Sequence, residues 1–128
     1  MIKLLEGFPR STVALECSGH VTRADYARVL IPRVNEVLAR EGKVRVYYEI
    51  GSSFSGMDAG AVWEDFKAGM EHLSRWERVA VVTDVPWIRS TLQAFRLFLP
   101  GKLRLFGTAE AGEARDWITA PGERPVRS

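Results

Sequence analysis

The sequence is poor in the residues that build covalent cross-links and metal centres. Of its 128 residues one is a cysteine, Cys17, and two are histidines, His20 and His72. A single thiol cannot form an intramolecular disulfide or supply a cysteine-rich zinc site. A lone thiol also fits a reducing compartment, so we expect a cytoplasmic protein.

Long apolar runs and a strong charge of one sign are missing as well. No uninterrupted apolar stretch approaches the ~20 residues that a membrane-spanning helix requires. The segment from Met1 to Gly7 meets charge too early to form the apolar core of a signal peptide. The 18 Lys and Arg side chains nearly balance the 16 Asp and Glu side chains. We therefore expect no nucleic-acid partner, because nucleic-acid-binding domains carry a denser basic stripe.

The composition that is present is that of a globular domain. Hydrophobic residues make up 46% of the chain and charged residues 27%, which is enough to bury one core at this length. The sequence contains no internal repeat, low-complexity run or linker. We predict one domain over residues 1–120, followed by a polar tail over residues 121–128.

The hydrophobic periodicity predicts an opening hairpin and then a capped helix. Met1–Leu5 and the alternating segment Thr12–Val21 form the two strands of the hairpin. The helix begins at Thr22, whose hydroxyl can form a capping box with Asp25. Pro32 is expected to bend this helix without ending it, and Gly42 is its predicted C-cap.

The rest of the chain alternates strands and helices, so the whole order is β-β-α-β-α-β-α-β-α. This order predicts an α/β fold with a mixed sheet of four to five strands, mostly parallel. The further predicted elements are strands over residues 44–50, 79–83 and 103–106, a loop over 51–56, and helices from Asp58, over 87–99 and from Thr108.

Five segments carry a family likeness in their order and spacing: Gly19-His20-Val21-Thr22 with Asp25-Tyr26, Phe54 to Asp58 leading to Ala61 to Asp65, Val81 to Asp84 with Trp87, Leu99-Pro100-Gly101, and Glu113 to Trp117. With these segments the chain resembles the SpoIIAA-like family from about Ile2 to Ile118. That family belongs with the STAS domains of anti-sigma-factor antagonists and with the CRAL-TRIO lipid-binding fold. The resemblance implies a mixed four- or five-stranded sheet flanked by helices.

The resemblance also bears on regulation by phosphorylation. In the antagonists, the loop before the second helix carries an Asp-Ser-Ser-Gly-type motif whose serine is phosphorylated. The matching stretch here is Asp58-Ala59-Gly60, with alanine in the place of that serine. The resemblance thus implies no phosphorylation switch at this position, and it supports the fold more than a partner-switching function.

Recognisable catalytic and cofactor motifs are absent from the sequence. There is no Gly-x-Ser-x-Gly nucleophile elbow, no His-x-x-x-His metal pair, and no Gly-Lys-Ser/Thr in the loop over 51–56. We expect neither an enzyme, nor a cofactor, nor a metal site. A weaker alternative is an enzyme that uses the carboxylates of Glu49, Asp58 and Asp84, although no base or nucleophile accompanies them.

The candidate ligand-binding residues cluster around the ends of two predicted strands. Asp84 follows a buried strand at the carboxyl end of the sheet, where open α/β sheets bind ligands. The alternative is that Asp84 caps the next helix, with Pro86 in its first turn. An aromatic side chain at such an edge suits an amphipathic ligand. The predicted group comprises Phe54, Asp58, Trp63, Asp84 and Trp87.

The predicted third helix is more apolar than one sheet face requires. Its stripe either packs on the core or forms a dimer seam, a lid, or a surface for an anionic membrane. The predicted interface or membrane residues are Arg89, Phe95, Arg96 and Phe98.

Together these observations favour a non-enzymatic STAS-like binding or regulatory module that acts through a protein partner or as a homodimer. The alternative is a carrier or sensor of a lipid or small apolar ligand, similar to CRAL-TRIO proteins. Membrane contact is expected to be peripheral at most.

Overall fold

The computed structural model describes residues 1–57, 76–95 and 103–121. Within them the sheet has five strands in the order β1-β2-β3-β4-β5. The first two strands are antiparallel, and every later neighbouring pair is parallel. The predicted α/β class and mixed sheet are confirmed. The strands are β1 (Ile2–Leu4), β2 (Thr12–Val21), β3 (Val44–Met57), β4 (Trp76–Thr83) and β5 (Leu103–Phe106).

Helical segments lie between β2 and β3, between β4 and β5, and after β5, as the periodicity predicts. They are α1 (Arg23–Asp25), a π-helical turn (Tyr26–Leu30), α2 (Ile31–Glu41), α3 (Pro86–Phe95), a 3₁₀ turn (Thr108–Glu110) and α4 (Ala111–Thr119). None of these helices combines the length and apolar character needed to cross a membrane. The predicted second helix from Asp58, the residues of the third helix beyond Phe95 and the tail after residue 121 lie outside the described residues.

Both predicted caps of the first helical region are present. The backbone N–H of Thr22 donates to the Asp25 carboxylate over 2.9 Å, and the Asp25 N–H donates to the Thr22 hydroxyl over 3.2 Å. The bond from the Thr22 N–H is the main reason that the pKa of Asp25 lies below its ordinary value. At the other end, Gly42 has a φ of 81° and donates its N–H to the Leu38 carbonyl over 2.9 Å.

Pro32 follows a widened helical turn, and the bend predicted at this residue stays a prediction. It lies in the first turn of α2, directly after the five-residue π-helical turn. A proline has no N–H to donate, and in a regular α-helix its ring would clash with the carbonyl four residues earlier, here that of Arg28. Widening the preceding turn relieves this conflict. The apolar stripe nevertheless resumes in α2, where Val34 and Val37 are buried.

The sheet separates two apolar layers, which explains the alternation in its strands. On one face, odd-numbered residues of β2 such as Val13 and Leu15 pack beneath α2 and α3. On the other face Ala14 of the same strand belongs to a smaller layer covered by α4. The buried members of this smaller layer are Ala14, Tyr47, Ala80, Val82, Phe106, Ala114 and Ile118.

Residues 51–56 form a strand, so the loop predicted there is wrong. Pairing between β3 and β4 stops at Ile50 and Thr83, but β2 continues alongside β3 up to the pair Val21 and Met57. The register shifts on both sides of Gly19, whose φ is +56°. A glycine at positive φ permits such a bulge. We call residues 18–21 of β2 and 51–57 of β3 the overhang, because they project beyond the end of β4.

Arg45 anchors the end of α4 to the amino end of the sheet. Its side chain is only 9% exposed, and its Nε donates to the Glu77 carboxylate over 2.5 Å. Its Nη1 donates to the carbonyls of Ile118 and Ala120 over 2.8 and 2.5 Å. The last carbonyls of a helix have no partner within it and carry partial negative charge, so a guanidinium stabilises them.

Arg78 makes a second anchor on the neighbouring strand. Its guanidinium donates to the carbonyls of Trp117 and Pro121 over 2.6 and 3.2 Å. The same group lies 5.2 Å from the centroid of the Trp117 ring. The two arginines thus satisfy four carbonyls where α4 ends.

Candidate functional site

Two of the predicted binding residues meet at the carboxyl end of the sheet. The overhang carries Phe54, and the first turn of α3 carries Trp87. Their ring centroids lie 6.4 Å apart at an interplanar angle of 36°. Phe54 is half-buried against the larger core, whereas Trp87 is 47% exposed. We call this pair the aromatic corner.

Asp84 lies three residues before Trp87 and is bound to the loop that follows β5. Its carboxylate accepts the Thr108 N–H over 3.1 Å and also accepts the Thr108 hydroxyl. The hydroxyl bond is the main reason that the pKa of Asp84 is low. A β-carbon on Gly107 would lie 3.1 Å from the Asp84 carboxylate. Glycine at that position therefore leaves room for this close approach.

The alternative in which Asp84 caps α3 is wrong, because its carboxylate is bound to Thr108. Directly before α3 the Val85 N–H donates to the Thr83 hydroxyl over 3.1 Å. At the other loop, the Gly107 N–H donates to the Glu110 carboxylate over 2.7 Å. Asp84 and Thr108 consequently cross-link two loops at the carboxyl end of the sheet.

Arg89 is tied to the end of β4. Its guanidinium donates to the Thr83 carbonyl over 2.9 Å, and its charge adds a minor lowering of the pKa of Asp84. An interface role for Arg89 remains a prediction. The side chain of Phe95, and Arg96 and Phe98 as whole residues, lie outside the described part of the chain.

The remaining predicted ligand-binding residues, Asp58 and Trp63, also fall outside it. The structure places two residues that the sequence did not single out as binding residues, Thr108 and Gly107, next to Asp84. The sequence offered one hint of this, a glycine and a threonine directly after a strand. It gave no indication that their partner lies 24 residues earlier.

Two of the three carboxylates of the alternative enzyme hypothesis, Glu49 and Asp84, have separate partners. Glu49 accepts the Tyr47 hydroxyl over 2.8 Å, and burial raises the pKa of Tyr47 to about 12. Asp84 is bound to Thr108, and Asp58 is not among the described residues. Over 1–57, 76–95 and 103–121, no three His, Cys, Asp or Glu side chains are grouped so that they could hold a metal ion. The carboxyl end of the sheet carries an exposed Trp87 ring that packs against Phe54, and a carboxylate, Asp84, that is bound to Thr108.

The comparisons with known proteins agree with this architecture. The family model described as SpoIIAA-like matches residues 12–119. An uncharacterised protein with a SpoIIAA-like fold from Shewanella loihica PV-4 is similar in structure, with a TM-score of 0.69 and 24% identity; the match covers 91% of this chain and 93% of that one. The anti-sigma factor antagonist SpoIIAA in its unphosphorylated form has a TM-score of 0.58 and 18% identity, over 94% of this chain and all of its own. No curated protein matches the sequence. Since the family model spans most of the chain, the protein belongs to the SpoIIAA-like family.

Proposed function

We propose that this protein is a non-enzymatic binding module that acts through protein–protein contacts, and that the aromatic corner is its contact surface. The observation that carries the proposal is the exposure of Trp87 on top of Phe54. Tryptophan is strongly enriched among the residues that dominate binding energy at protein interfaces. A ring that is supported from behind also loses little conformational freedom when a partner covers it.

Two further features support a protein partner. The Asp84–Thr108 bonds hold together two loops, one of which leads into the helix that carries Trp87. A polar group would thus lie at the rim of the apolar contact that we propose, as in many interfaces. The similar structure of SpoIIAA is described as an anti-sigma factor antagonist, a description that names a protein target for that relative. The partner here is either a different protein or a second copy of this chain.

The test compares complexes of the full chain by native mass spectrometry after gentle purification from cells. We expect a dimer or a complex with another protein for the unaltered chain, and its loss in Trp87→Ala and Phe54→Ala. Leu4→Ala is the matched control, since Leu4 is 43% exposed on β1, and it should retain the complex. A complex that persists in both aromatic variants would contradict the proposal.

The same spectra address the alternative of a lipid or small-ligand carrier. A carrier predicts an added small mass on the monomer that organic solvent removes. That result, without any protein complex, would replace the interaction module with the carrier hypothesis.

A further inference from the structure

Arg104 lies in the middle of β5, on the face of the sheet that α4 covers. Its guanidinium carbon is 5.0 Å from the centroid of the Phe106 ring and 5.2 Å from that of Trp117. Phe106 is buried and Trp117 is half-buried, while Arg104 itself is exposed. The rings therefore hold a solvent-facing guanidinium in a restricted position, as arginine–aromatic stacking does.

The hydrogen-bonding capacity of Arg104 is unused within the described part of the chain. Arg45 and Arg78, on neighbouring strands, both donate to carbonyls at the end of α4. Arg104 has ring contacts but, among the described residues, neither an ion pair nor a hydrogen bond. A guanidinium presents five N–H groups in a planar fork that fits a carboxylate with two parallel bonds.

The strand that carries Arg104 lies at an edge of the sheet. β5 pairs with β4 from Val79 and Leu103 to Val82 and Phe106. On its other side, no strand among residues 1–57, 76–95 and 103–121 pairs with it. Its outward backbone groups are a template on which another extended segment can form hydrogen bonds.

We propose that β5 docks an extended segment of a partner protein as a sixth strand, with a Glu or Asp of that segment opposite Arg104. Directly opposed side chains on neighbouring strands lie close enough to form ion pairs. On the opposite face Leu103 is buried and Leu105 is half-buried. The segment that fits is therefore one in which an acidic residue is flanked on both sides by apolar residues.

A second copy of this chain fits the edge less well. Antiparallel pairing of two β5 strands centred on Arg104 would place two guanidinium groups against each other, which is unfavourable. A charge on an edge strand also protects it from such self-pairing. If Arg104 only prevented self-pairing, β5 would have no affinity for an acidic strand. Binding of such a strand therefore distinguishes a docking role of Arg104 from a protective one.

The test titrates the full-length ¹⁵N-labelled protein with three peptides and follows backbone amides by NMR. The first is acetyl-SVTVEVTVS-amide, and the other two carry glutamine or lysine in place of the central glutamate. We expect the glutamate peptide to shift the amides of residues 103–106 and to bind at least about tenfold more tightly than the glutamine peptide, since bonds to charged groups are the stronger ones. Equal affinity of these two peptides, or no shift at β5, would overturn the proposal.

Variants and modified peptides then assign the contact. Arg104→Gln should abolish the preference for glutamate and Arg104→Lys should retain part of it, while Arg28→Gln, at an exposed arginine of the π-helical turn, should leave it intact. Two glutamate peptides N-methylated at alternate residues test the strand pairing. One should fail to bind, and retained binding by both would overturn it.

Two other outcomes would also reject the proposal. One is self-association of Arg104→Gln without peptide binding by the unaltered chain, which would make Arg104 a protective charge only. The other is a shift of β5 amides by single-stranded oligonucleotide and not by the glutamate peptide. Because Trp87→Ala should keep peptide binding, failure at β5 is distinguishable from failure of the aromatic corner.

Discussion

At the amino end of the sheet, Arg45 and Arg78 donate to the terminal carbonyls of α4, and little of Arg45 reaches solvent. At the carboxyl end, Trp87 is about half exposed, and the exposed Asp84 holds a neighbouring loop. Charges with buried, satisfied partners contribute to the integrity of a fold. The exposed ring of Trp87, by contrast, is available for contact with a partner. We therefore interpret the amino end as stabilising the fold and propose the carboxyl end as the binding end.

The largest test of this division is Arg45→Met. We expect the free energy of unfolding to fall by about 3 kcal/mol, because buried carbonyls and part of Glu77 lose their donor. Urea unfolding measures this loss. The thiol of Cys17, whose pKa burial raises to about 12, should also be labelled faster by a thiol reagent in the variant. Arg28→Met is the control, and its free energy of unfolding should stay within about 0.5 kcal/mol of that of the unaltered protein. Equal stability of the two variants would contradict the anchoring role of Arg45.

The second test replaces one tryptophan with alanine at each end of the sheet. Trp117 packs against Phe106 with a centroid separation of 6.1 Å and lies beside two guanidinium groups. Trp117→Ala should cost about 2 kcal/mol of unfolding free energy, less than a fully buried tryptophan would. Trp87→Ala should cost about 0.5 kcal/mol. If urea unfolding gave the reverse order, the carboxyl end would be structural.

The third test concerns the cap formed by Thr22 and Asp25, a contact at the carboxyl end of the sheet that we expect to stabilise the fold. Thr22→Ala removes the hydroxyl that accepts the Asp25 N–H and should lower the unfolding free energy by about 1 kcal/mol. The control is Thr91→Ala, since the Thr91 hydroxyl donates to the Trp87 carbonyl of its own helix over 2.8 Å. Thermal unfolding of both variants should show the larger decrease for Thr22→Ala.

The smallest expected effect concerns Asp84 and pH. The pKa of Asp84 is depressed below its ordinary 3.8 by its bonds to Thr108. A carboxyl group whose pKa is lower in the folded state than in the unfolded state stabilises the fold at pH values above its ordinary pKa. This contribution disappears as the pH falls through the pKa of the folded state. The unaltered protein should therefore have a slightly higher Tm than Asp84→Asn at pH 6, and this difference should vanish towards pH 2. A constant difference across this range would rule out the carboxylate charge as its source.

The sequence predicted those elements whose local pattern agrees with their tertiary role. The bounds of β2 and β5 were predicted to the residue, because each has an apolar pattern bordered by turn residues. The prediction of a loop over residues 51–56 was wrong, because glycine and serine favour turns locally. Pairing with β2 outweighs that preference.

The candidate site was predictable only in part, for a related reason. Phe54 and Trp87 could be placed at the same edge because both follow predicted strands that end there, although Phe54 in fact lies within the longer β3. The partner of Asp84 could not, since Thr108 lies 24 residues later in the sequence, on a different loop. Likewise, nothing around Arg45 in the sequence indicates carbonyls more than 70 residues away.

The overhang has a consequence for local motion. Among the described residues, its β3 portion is hydrogen-bonded to a neighbouring strand only on the β2 side, through a register that shifts at Gly19. A ribbon held on one side can open without disturbing the five-stranded centre of the sheet, so its amides should exchange with solvent deuterium well before those of β4. We therefore expect the support beneath Trp87 to deform more easily than β4. A partner that covers the aromatic corner would slow that exchange, and its footprint would appear first as protection in residues 51–57.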